Sequence, residues 1–213
     1  MVKLEIKLDL EWDSAFHTTG NRWRWGADKA LVQRYDGAYV LPATSLKGAL
    51  RDQAERLLRD QVCIAPDSKQ MCRDVENLCL VCRVFGNPRR PSPLRFTDAV
   101  LDQKPETTQI RAGVAISRRR RAAVPHHLYF LETTTATSKA KTTIEGFFSS
   151  QEEAKKAAAL VVLATRMLPA LGAGRTRGLG WLKTINAECI IDNQPLPEAE
   201  LKHYWDQWLG GTQ

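Results

Sequence analysis

The sequence contains no apolar run that approaches the roughly 18 residues of a membrane-spanning helix. Its first ten residues, MVKLEIKLDL, alternate charged and apolar side chains and lack the continuous apolar segment that a secretory signal requires. Internal repeats and low-complexity segments are also missing. These absences argue against a helical membrane protein, a secreted protein and a repetitive or disordered chain. We therefore expect a cytoplasmic protein that has no membrane partner.

The composition is that of a globular domain, because hydrophobic residues make up 43% and charged residues 26% of the 213 residues. A chain of this length is expected to bury roughly 70% of the surface that it exposes when unfolded. We expect a single domain over residues 1–213 that is enlarged by insertions.

The net charge of +7 is concentrated in one part of the chain. Residues 83–121 hold ten basic and three acidic residues, whereas basic and acidic residues balance on either side of this block. A local basic block indicates binding to a polyanion, most often a nucleic acid. A solvated basic loop is the alternative. An anionic membrane is disfavoured because no segment forms a basic amphipathic helix with a bulky apolar face.

Four of the five cysteines, Cys63, Cys72, Cys79 and Cys82, fall in one short segment with the spacing C-x8-C-x6-C-x2-C. Thiolates three residues apart converge on one tetrahedral ion, and two more complete a closed structural zinc site. In an intracellular chain such a cluster favours a metal over disulfides. The alternative is a C-x-x-C half-site beside two buried cysteines. The fifth, Cys189, lies in a strand-like run and is expected in the core.

The periodicity of the apolar residues predicts an α+β fold. Strands and helices follow the order β-α-insertion-β-β-β-β-α-β-β-α, which fits a ferredoxin-like β-α-β-β-α-β core with a mostly antiparallel sheet. Thr44 and Ser45 offer an N-cap to the first helix. The predicted helices span residues 44–61, 152–168 and 197–209, and the predicted strands span residues 2–10, 39–41, 94–101, 109–117, 128–135, 142–148, 179–186 and 188–191.

A glycine-rich loop, LGAGRTRGLGW, occupies residues 171–181. It is not a dinucleotide fingerprint, because Arg177 stands at the third glycine position and a helix precedes the loop. It is not a P-loop either, because Trp181 follows Gly180. Glycines let a ligand approach the backbone closely, and arginines bring guanidinium groups to phosphates. The alternative is a plain helix-to-strand turn. The candidate RNA contacts here are Gly172, Gly174, Arg175, Arg177 and Gly178.

Four blocks, in order, resemble the RAMP superfamily, and most of all the backbone subunits of type III CRISPR effector complexes. The first, residues 26–51, contains a Gly-x-Asp loop and the stretch Pro-x-x-Ser-Leu-Lys-Gly at residues 42–48. The other blocks are Val-Phe-Gly at 84–86 with Leu-Arg-Phe-Thr-Asp-Ala at 94–99, Ile-Ser-Arg at 116–118 with Val-Pro at 124–125, and the glycine loop.

The resemblance implies an RNA-recognition-like, ferredoxin-type palm with a zinc-binding insertion at about residues 61–93 and a β-hairpin thumb at about residues 103–142. It implies that RAMP-type subunits stack along a guide RNA and that the thumb disrupts pairing between the guide and a target RNA. The expected partners are therefore guide RNA, target RNA and other RAMP-type subunits. Single-stranded RNA agrees with a groove of basic side chains that follows the phosphates.

The candidate RNA contacts lie in the first helix and in the thumb. Lys47 and Arg51 stand one turn apart on the same helix face, close to Ser45 of the matched stretch. In the thumb, no helix or strand places four consecutive arginines on one face, so some are expected to bind phosphate and others to be solvated. The candidates from these two regions are Ser45, Lys47, Arg51, Arg111, Arg118, Arg119, Arg120 and Arg121.

In slicing members of the superfamily, an aspartate in the first long loop, which corresponds to residues 13–39 here, is required for divalent-metal-dependent cleavage of the target RNA, and Asp28 matches that position. The 2′-hydroxyl attacks the neighbouring phosphate, and a carboxylate helps by holding a cation such as magnesium or by accepting the proton. Lys29 and Ala30 depart from the usual small residue and proline. Lys29 is therefore expected either to pair with Asp28 or to bind the scissile phosphate. Asp36 is the other carboxylate of the loop.

Two other functions remain open. One is a non-catalytic, structural RNA-binding subunit of the same kind of complex. The other is a metal-independent endoribonuclease that processes guide RNA, with His17 as general acid or base. For His17 the alternative is a loop histidine bonded to the backbone. Trp23 and Trp25 share one strand face and are expected either to stack on bases or to pack against a neighbouring subunit.

Overall fold

The computed structural model describes residues 1–20, 22–63, 71–74, 76–104 and 107–210. In this part of the chain the strands form two antiparallel sheets, and the helices pack against the larger one. The prediction of an α+β fold with antiparallel sheets is confirmed. Parts of both predicted insertions, residues 64–70, 75 and 105–106, lie outside the described residues.

The described elements are short apart from five strands and three helices. The strands are β1 (Val2–Trp12), β2 (Val40–Leu41), β3 (Leu94–Phe96), β4 (Ala99–Leu101), β5 (Gln109–Ser117), β6 (Ala122–Thr133), β7 (Lys139–Phe148), β8 (Leu182–Ile191) and β9 (Gln194–Pro195). The helices are α1 (Ala43–Leu58), α2 (Leu80–Phe85), α3 (Gln151–Arg166) and α4 (Glu198–Leu209).

β1 lies inside the larger sheet, whose strand order is β2-β4-β7-β1-β8-β9, with β3 also paired to β7. Leu4, Ile6 and Leu8 are buried and alternate with charged residues, so one face of the strand joins the core. The register places Ile6 opposite Ile144 of β7 and Cys189 of β8. The core therefore lies between this face and the helices.

The first long helix forms because its apolar residues recur every three or four positions. Leu46, Leu50 and Leu58 form the buried face of α1. The helix begins after Pro42, so the prediction of a cap at Thr44 and Ser45 is wrong: proline restricts the backbone to the extended conformation that a cap needs, and both hydroxyl residues lie in the first turn. None of the helices in the described residues combines the length and hydropathy that crossing a membrane requires.

β5 and β6 form a separate two-stranded sheet, and their side chains are mostly exposed. The hairpin lies in the chain between β4 and β7, and it begins and ends beside the main sheet because Leu101 of β4 pairs with Ala140 of β7. An isolated bridge also joins Lys29 to Leu131 of β6. At the other end of the hairpin, residues 118–121 form the turn.

Three predicted elements differ in the structure. The run predicted as one strand over residues 94–101 is divided into β3 and β4, and at the break the Asp98 carboxylate accepts the Ala43 N–H at 2.7 Å. The two strands predicted at residues 179–186 and 188–191 form the single strand β8. A short helix, α2, lies in the cysteine segment. It was not predicted from the sequence, because this segment was interpreted only by the spacing of its cysteines.

Candidate nucleic-acid interface and metal site

A groove runs between the first turns of α1 and the glycine loop at residues 172–180. Ser45 and Gly48 line its α1 side, and Gly172 and Arg175 line the other. Gly48 is exposed and has open space where a Cβ would stand, so a ligand backbone is able to approach the helix closely. The structure thus brings together Ser45, Gly172 and Arg175, three of the predicted RNA contacts.

The glycine loop is held against the segment that follows β1. The Ala173 N–H donates to the His17 carbonyl oxygen at 2.8 Å. Gly172 has a φ of +94°, and a Cβ there would stand 2.5 Å from the same carbonyl oxygen, so only glycine fits. Gly174 and Gly178 adopt left-handed conformations on either side of the turn Arg175–Arg177. This packing presents both arginine side chains to solvent.

The hairpin presents a second group of predicted contacts. Arg118, Arg119, Arg120 and Arg121 are all exposed at its turn. The Arg121 N–H donates to the Ser117 carbonyl oxygen at 2.8 Å, which closes the turn. Arg111, on β5, is exposed as well. Part of the basic block identified in the sequence therefore lies on this hairpin and not in the groove.

Asp28 lies at the base of the hairpin. Its N–H donates to the Phe130 carbonyl oxygen at 3.0 Å, and its Oδ2 accepts the Phe130 N–H at 2.7 Å. The residue is exposed, and Oδ1 has no hydrogen-bond partner in the described part of the chain. The neighbouring Lys29 side chain lines a pocket with Tyr129 and Arg177. The strand β6 thus holds the Asp28 loop while one carboxylate oxygen stays accessible.

The four predicted metal ligands converge. The sulfur atoms of Cys63, Cys72, Cys79 and Cys82 all lie within 4.8 Å of one another. Cys63 Sγ lies 3.2 Å from Cys82 Sγ, 3.6 Å from Cys79 Sγ and 3.8 Å from Cys72 Sγ. Zn–S bonds of about 2.3 Å in a tetrahedron place sulfur atoms about 3.8 Å apart. The cluster is therefore able to bind a structural metal such as zinc.

The family is decided by comparison with known families. A family model described as the RAMP superfamily matches residues 12–183, which is most of the chain. This chain belongs to the RAMP superfamily. No curated protein gives a significant match to it. Membership in this superfamily indicates a CRISPR-associated, RNA-binding protein that forms complexes with other subunits.

Lys47 and Arg51, two predicted contacts of this RAMP protein, do not line the groove, and Arg51 faces the cysteine region instead. Arg51 donates from Nη1 to the Gly86 carbonyl oxygen at 2.7 Å, from Nε to Glu55 at 2.8 Å and from Nη2 to Cys82 Sγ at 3.8 Å. The Lys47 ammonium lies 5.7 Å from the centre of the Phe96 ring. Burial, and then the charge of Arg51, lower the pKa of Lys47. Arg51 therefore connects α1 to the cysteine cluster and to the residue that follows α2.

His17 is buried and hydrogen-bonded through both ring nitrogens. Nδ1 lies 2.6 Å from the Glu132 carbonyl oxygen, and Nε2 lies 2.9 Å from Thr19 Oγ1. Burial lowers the pKa of His17, and the charge of Lys29 lowers it further against the opposing effect of the Glu132 carbonyl. These contacts are those of a neutral loop histidine bonded to the backbone.

Sequence reasoning did not identify Glu132, although it connects the first long loop to the hairpin. Its side chain is 0% exposed and accepts hydrogen bonds from Arg22 Nη2 at 2.8 Å, from Tyr39 Oη at 2.8 Å, from the Leu31 N–H at 3.0 Å and from Arg24. Burial raises the pKa of Glu132, but these hydrogen bonds and charges outweigh it and hold the pKa below its ordinary value.

The alternation of side chains around Glu132 also places the tryptophans. Arg22 and Arg24 turn towards the glutamate, and the intervening Trp23 and the following Trp25 are 79% and 81% exposed. The arginines therefore fix one side of this segment to Glu132, and the exposed tryptophans on the other side are free to contact a ligand or another subunit.

We expect Glu132→Gln to destabilise the fold by about 3 kcal/mol, because two partly buried arginines lose their counter-charge. The pKa of Glu132 is lowered by folding, so its stabilisation is present above the ordinary carboxyl pKa and is lost as the pH falls through the folded value. The difference between wild type and variant should therefore shrink below about pH 4. Urea unfolding at several pH values measures it.

Glu198→Gln is the matched control for this experiment. Glu198 pairs with Arg166 at 2.6 Å on the surface, where solvent screens the ion pair and its contribution to stability is small. A Glu132→Gln effect no larger than the Glu198→Gln effect would contradict the role assigned to the buried carboxylate.

Proposed function

We propose that this chain is a guide-RNA-binding backbone subunit of a type III CRISPR ribonucleoprotein and that it cleaves the complementary target RNA with the help of Asp28. In this proposal residues 1–213 form one RAMP-type domain. The sheet and long helices are the palm, about residues 61–93 are the zinc-binding insertion, and about residues 103–142 are the thumb.

The groove between α1 and the glycine loop is the observation that carries the proposal. Arg175 supplies a guanidinium group and Ser45 a hydroxyl group, and Gly48 leaves open space where a side chain would keep a phosphate chain at a distance. An exposed, partly cationic groove of this kind follows an RNA backbone without reading its sequence. That property suits a subunit that has to hold guides of any sequence.

The exposed face of the main sheet is a less suitable RNA-binding surface than the groove, because the charges on this face are balanced. Along β1, Lys3 pairs with Glu145 of β7 at 3.3 Å, and Glu11 pairs with Lys183 of β8 at 3.0 Å. Lys141 pairs with Asp9 at 3.6 Å. Paired charges give such a face little net attraction for a polyanion.

Asp28 is the candidate catalytic residue because it combines an accessible oxygen with a fixed backbone. Two hydrogen bonds to Phe130 hold the loop at the hairpin base. In the described residues the only cluster of three or more metal-ligating side chains is the cysteine cluster. Asp28 would therefore hold magnesium together with RNA phosphate oxygens, and the bound cation would neutralise charge on the attacked phosphate.

The cysteine cluster is proposed to hold zinc with a structural role. Four thiolates close the coordination sphere, so no position remains for a substrate or a water molecule. Burial raises the pKa of Cys82 and of Cys63, and a bound cation favours the thiolate forms against this effect.

A non-catalytic subunit of the same complex is the second candidate. The observation that favours it is that Asp28 already has a structural task, because its Oδ2 accepts the Phe130 N–H. A carboxylate that only stabilises the base of the hairpin would make the same contact without taking part in RNA cleavage. By contrast, the burial of His17 and the engagement of both its ring nitrogens weigh against a metal-independent nuclease that uses this histidine.

The expected effect of Arg175→Gln is weaker binding of single-stranded RNA, by about tenfold, because one charge-assisted phosphate contact is lost. The slope of log K against log salt should also fall by about 1. Fluorescence anisotropy with a labelled guide-type RNA, over a series of salt concentrations, measures both quantities.

Lys202→Gln is the control, because it removes the same charge from α4, where Lys202 is exposed and pairs with Glu198. Its affinity and salt slope should match those of the wild type. If Arg175→Gln and Lys202→Gln behave alike, RNA does not occupy the groove.

A further inference from the structure

A second pocket adjoins the groove on the far side of the glycine loop. It lies between the first long loop, β6 and the glycine loop, and Lys29, Tyr129 and Arg177 contribute polar groups to its lining. Its volume is about 320 Å³. Thr19 and Ala173 line both the pocket and the groove, so the two form one continuous surface.

The pocket is cationic. Lys29 and Arg177 are two positive charges in its lining, and the described residues that line it include no aspartate or glutamate. His17 also lines the pocket, and burial is the main cause of its lowered pKa. The positive charge of Lys29 lowers the pKa of His17 further. His17 is therefore neutral at physiological pH and neither adds charge nor competes for an anion.

Arg177 is oriented by a tyrosine. Its Nη1 donates to Tyr129 Oη at 2.5 Å, and its guanidinium carbon lies 5.9 Å from the centre of the same ring. A guanidinium group has five N–H donors in a rigid fork, so a single hydrogen bond to the hydroxyl leaves donors for a phosphate. The tyrosine thus reduces the freedom that Arg177 would lose on binding an anion.

We infer that Lys29, Tyr129 and Arg177 form a second phosphate site, which binds a phosphodiester of single-stranded RNA that continues from the groove. The inference rests on the proposed function, because it takes RNA to occupy the groove. Asp28 directly precedes Lys29 in the chain but does not line the pocket, so the site is assigned to binding of the RNA backbone and not to the cleavage step.

The test compares Lys29→Gln and Arg177→Gln with the charge-retaining variants Lys29→Arg and Arg177→Lys. The probe is a labelled, unstructured oligouridine, titrated over a series of salt concentrations. Each glutamine variant should weaken binding about tenfold and lower the salt slope by about 1, and the double variant should lower the slope by about 2. The charge-retaining variants should keep the slope, and Lys202→Gln should equal the wild type.

Thermal unfolding of each variant separates loss of the site from loss of the fold, because the Arg177–Tyr129 contact also joins the glycine loop to the hairpin. A folded Arg177→Lys protein with the wild-type slope keeps the charge argument testable if Arg177→Gln is unstable. An unchanged slope in folded Lys29→Gln and Arg177→Gln proteins would overturn the inference.

The outcomes also separate this inference from the proposed function. If Arg175→Gln lowers the slope while Lys29→Gln and Arg177→Gln do not, the groove binds RNA and the second site is wrong. If none of the three changes RNA binding, both fail. A titration with inorganic phosphate tests whether the site binds free phosphate and not RNA. If these variants abolish phosphate binding and leave RNA binding unaffected, the site is a free-phosphate site and the inference is overturned.

Discussion

Replacing Cys82 with serine is expected to lower the thermal unfolding midpoint by about 10 °C or more and to remove bound zinc. The substitution removes one of four ligands whose sulfur atoms lie within 4.8 Å of one another. Metal binding at such a site is itself folding free energy, and a loss of about 4 kcal/mol corresponds to about 10 °C in a domain of this size. Calorimetry and metal analysis of the purified protein measure the two effects.

The effect is expected to be large because the cluster fastens a helix to the core. Cys79 immediately precedes α2, and Cys82 lies within it. Val84 and Phe85 of the same helix are buried in the main core. Arg51 Nη2 lies 3.8 Å from Cys82 Sγ and its Nη1 binds the Gly86 carbonyl oxygen, so α1 is tied to the same point. Losing the metal would release these contacts together.

Cys189→Ala is the matched control for the zinc prediction. Cys189 is buried in β8 and stands opposite Ile6, away from the cluster. Its replacement should cost about 1 kcal/mol through a small cavity and should leave the zinc content unchanged. Full zinc occupancy in Cys82→Ser, with a midpoint near that of the wild type, would show that the cysteines hold no structural zinc.

The sequence was most informative where one feature repeats over several positions. The spacing of Leu46, Leu50 and Leu58 predicted the first helix, and the alternation along residues 2–10 predicted the strand inside the sheet. The cysteine spacing predicted that the sulfur atoms converge, and they do. Such patterns are local consequences of helix and strand geometry, so neighbouring residues suffice to read them.

The sequence was least informative where a contact joins distant segments. Glu132 looks like one polar residue of an alternating strand, but its partners Arg22 and Arg24 stand 110 and 108 positions earlier. Arg51 shares a helix face with Lys47, but its guanidinium group turns to Gly86 and Cys82 because these lie beside α1 in the fold. Neither arrangement follows from periodicity, since both depend on tertiary packing.

For Asp28 the sequence supplied the candidate and the structure supplied its surroundings. The Gly-x-Asp match selects the residue, but nothing in the spacing predicts that Oδ2 accepts the Phe130 N–H. This hydrogen bond decides which variant is informative. Alanine would remove the charge and the hydrogen bond together, whereas asparagine keeps an oxygen that accepts the Phe130 N–H and removes only the charge.

Asp28→Asn is therefore expected to slow target cleavage by a factor of at least about 100, while target binding stays unchanged. The amide neither holds a divalent cation as a carboxylate does nor accepts the proton of the 2′-hydroxyl group. Asp36→Asn is the matched control, because Asp36 is the other carboxylate of the same loop. Its hydrogen bonds to Arg34, and then to the Ala38 N–H, lower the pKa of Asp36 to about 2. It should cleave at the wild-type rate.

The most direct measurement is the cut pattern of a labelled target RNA incubated with a guide-loaded complex that contains wild-type, Asp28→Asn or Asp36→Asn chain, with and without a chelator. We expect Asp28→Asn and the chelator to abolish the same cuts, Asp36→Asn to preserve them, and all three complexes to bind the target equally. Unchanged cuts in an Asp28→Asn complex that binds its target would contradict a catalytic role for Asp28, and would make this chain a structural subunit whose neighbour cleaves.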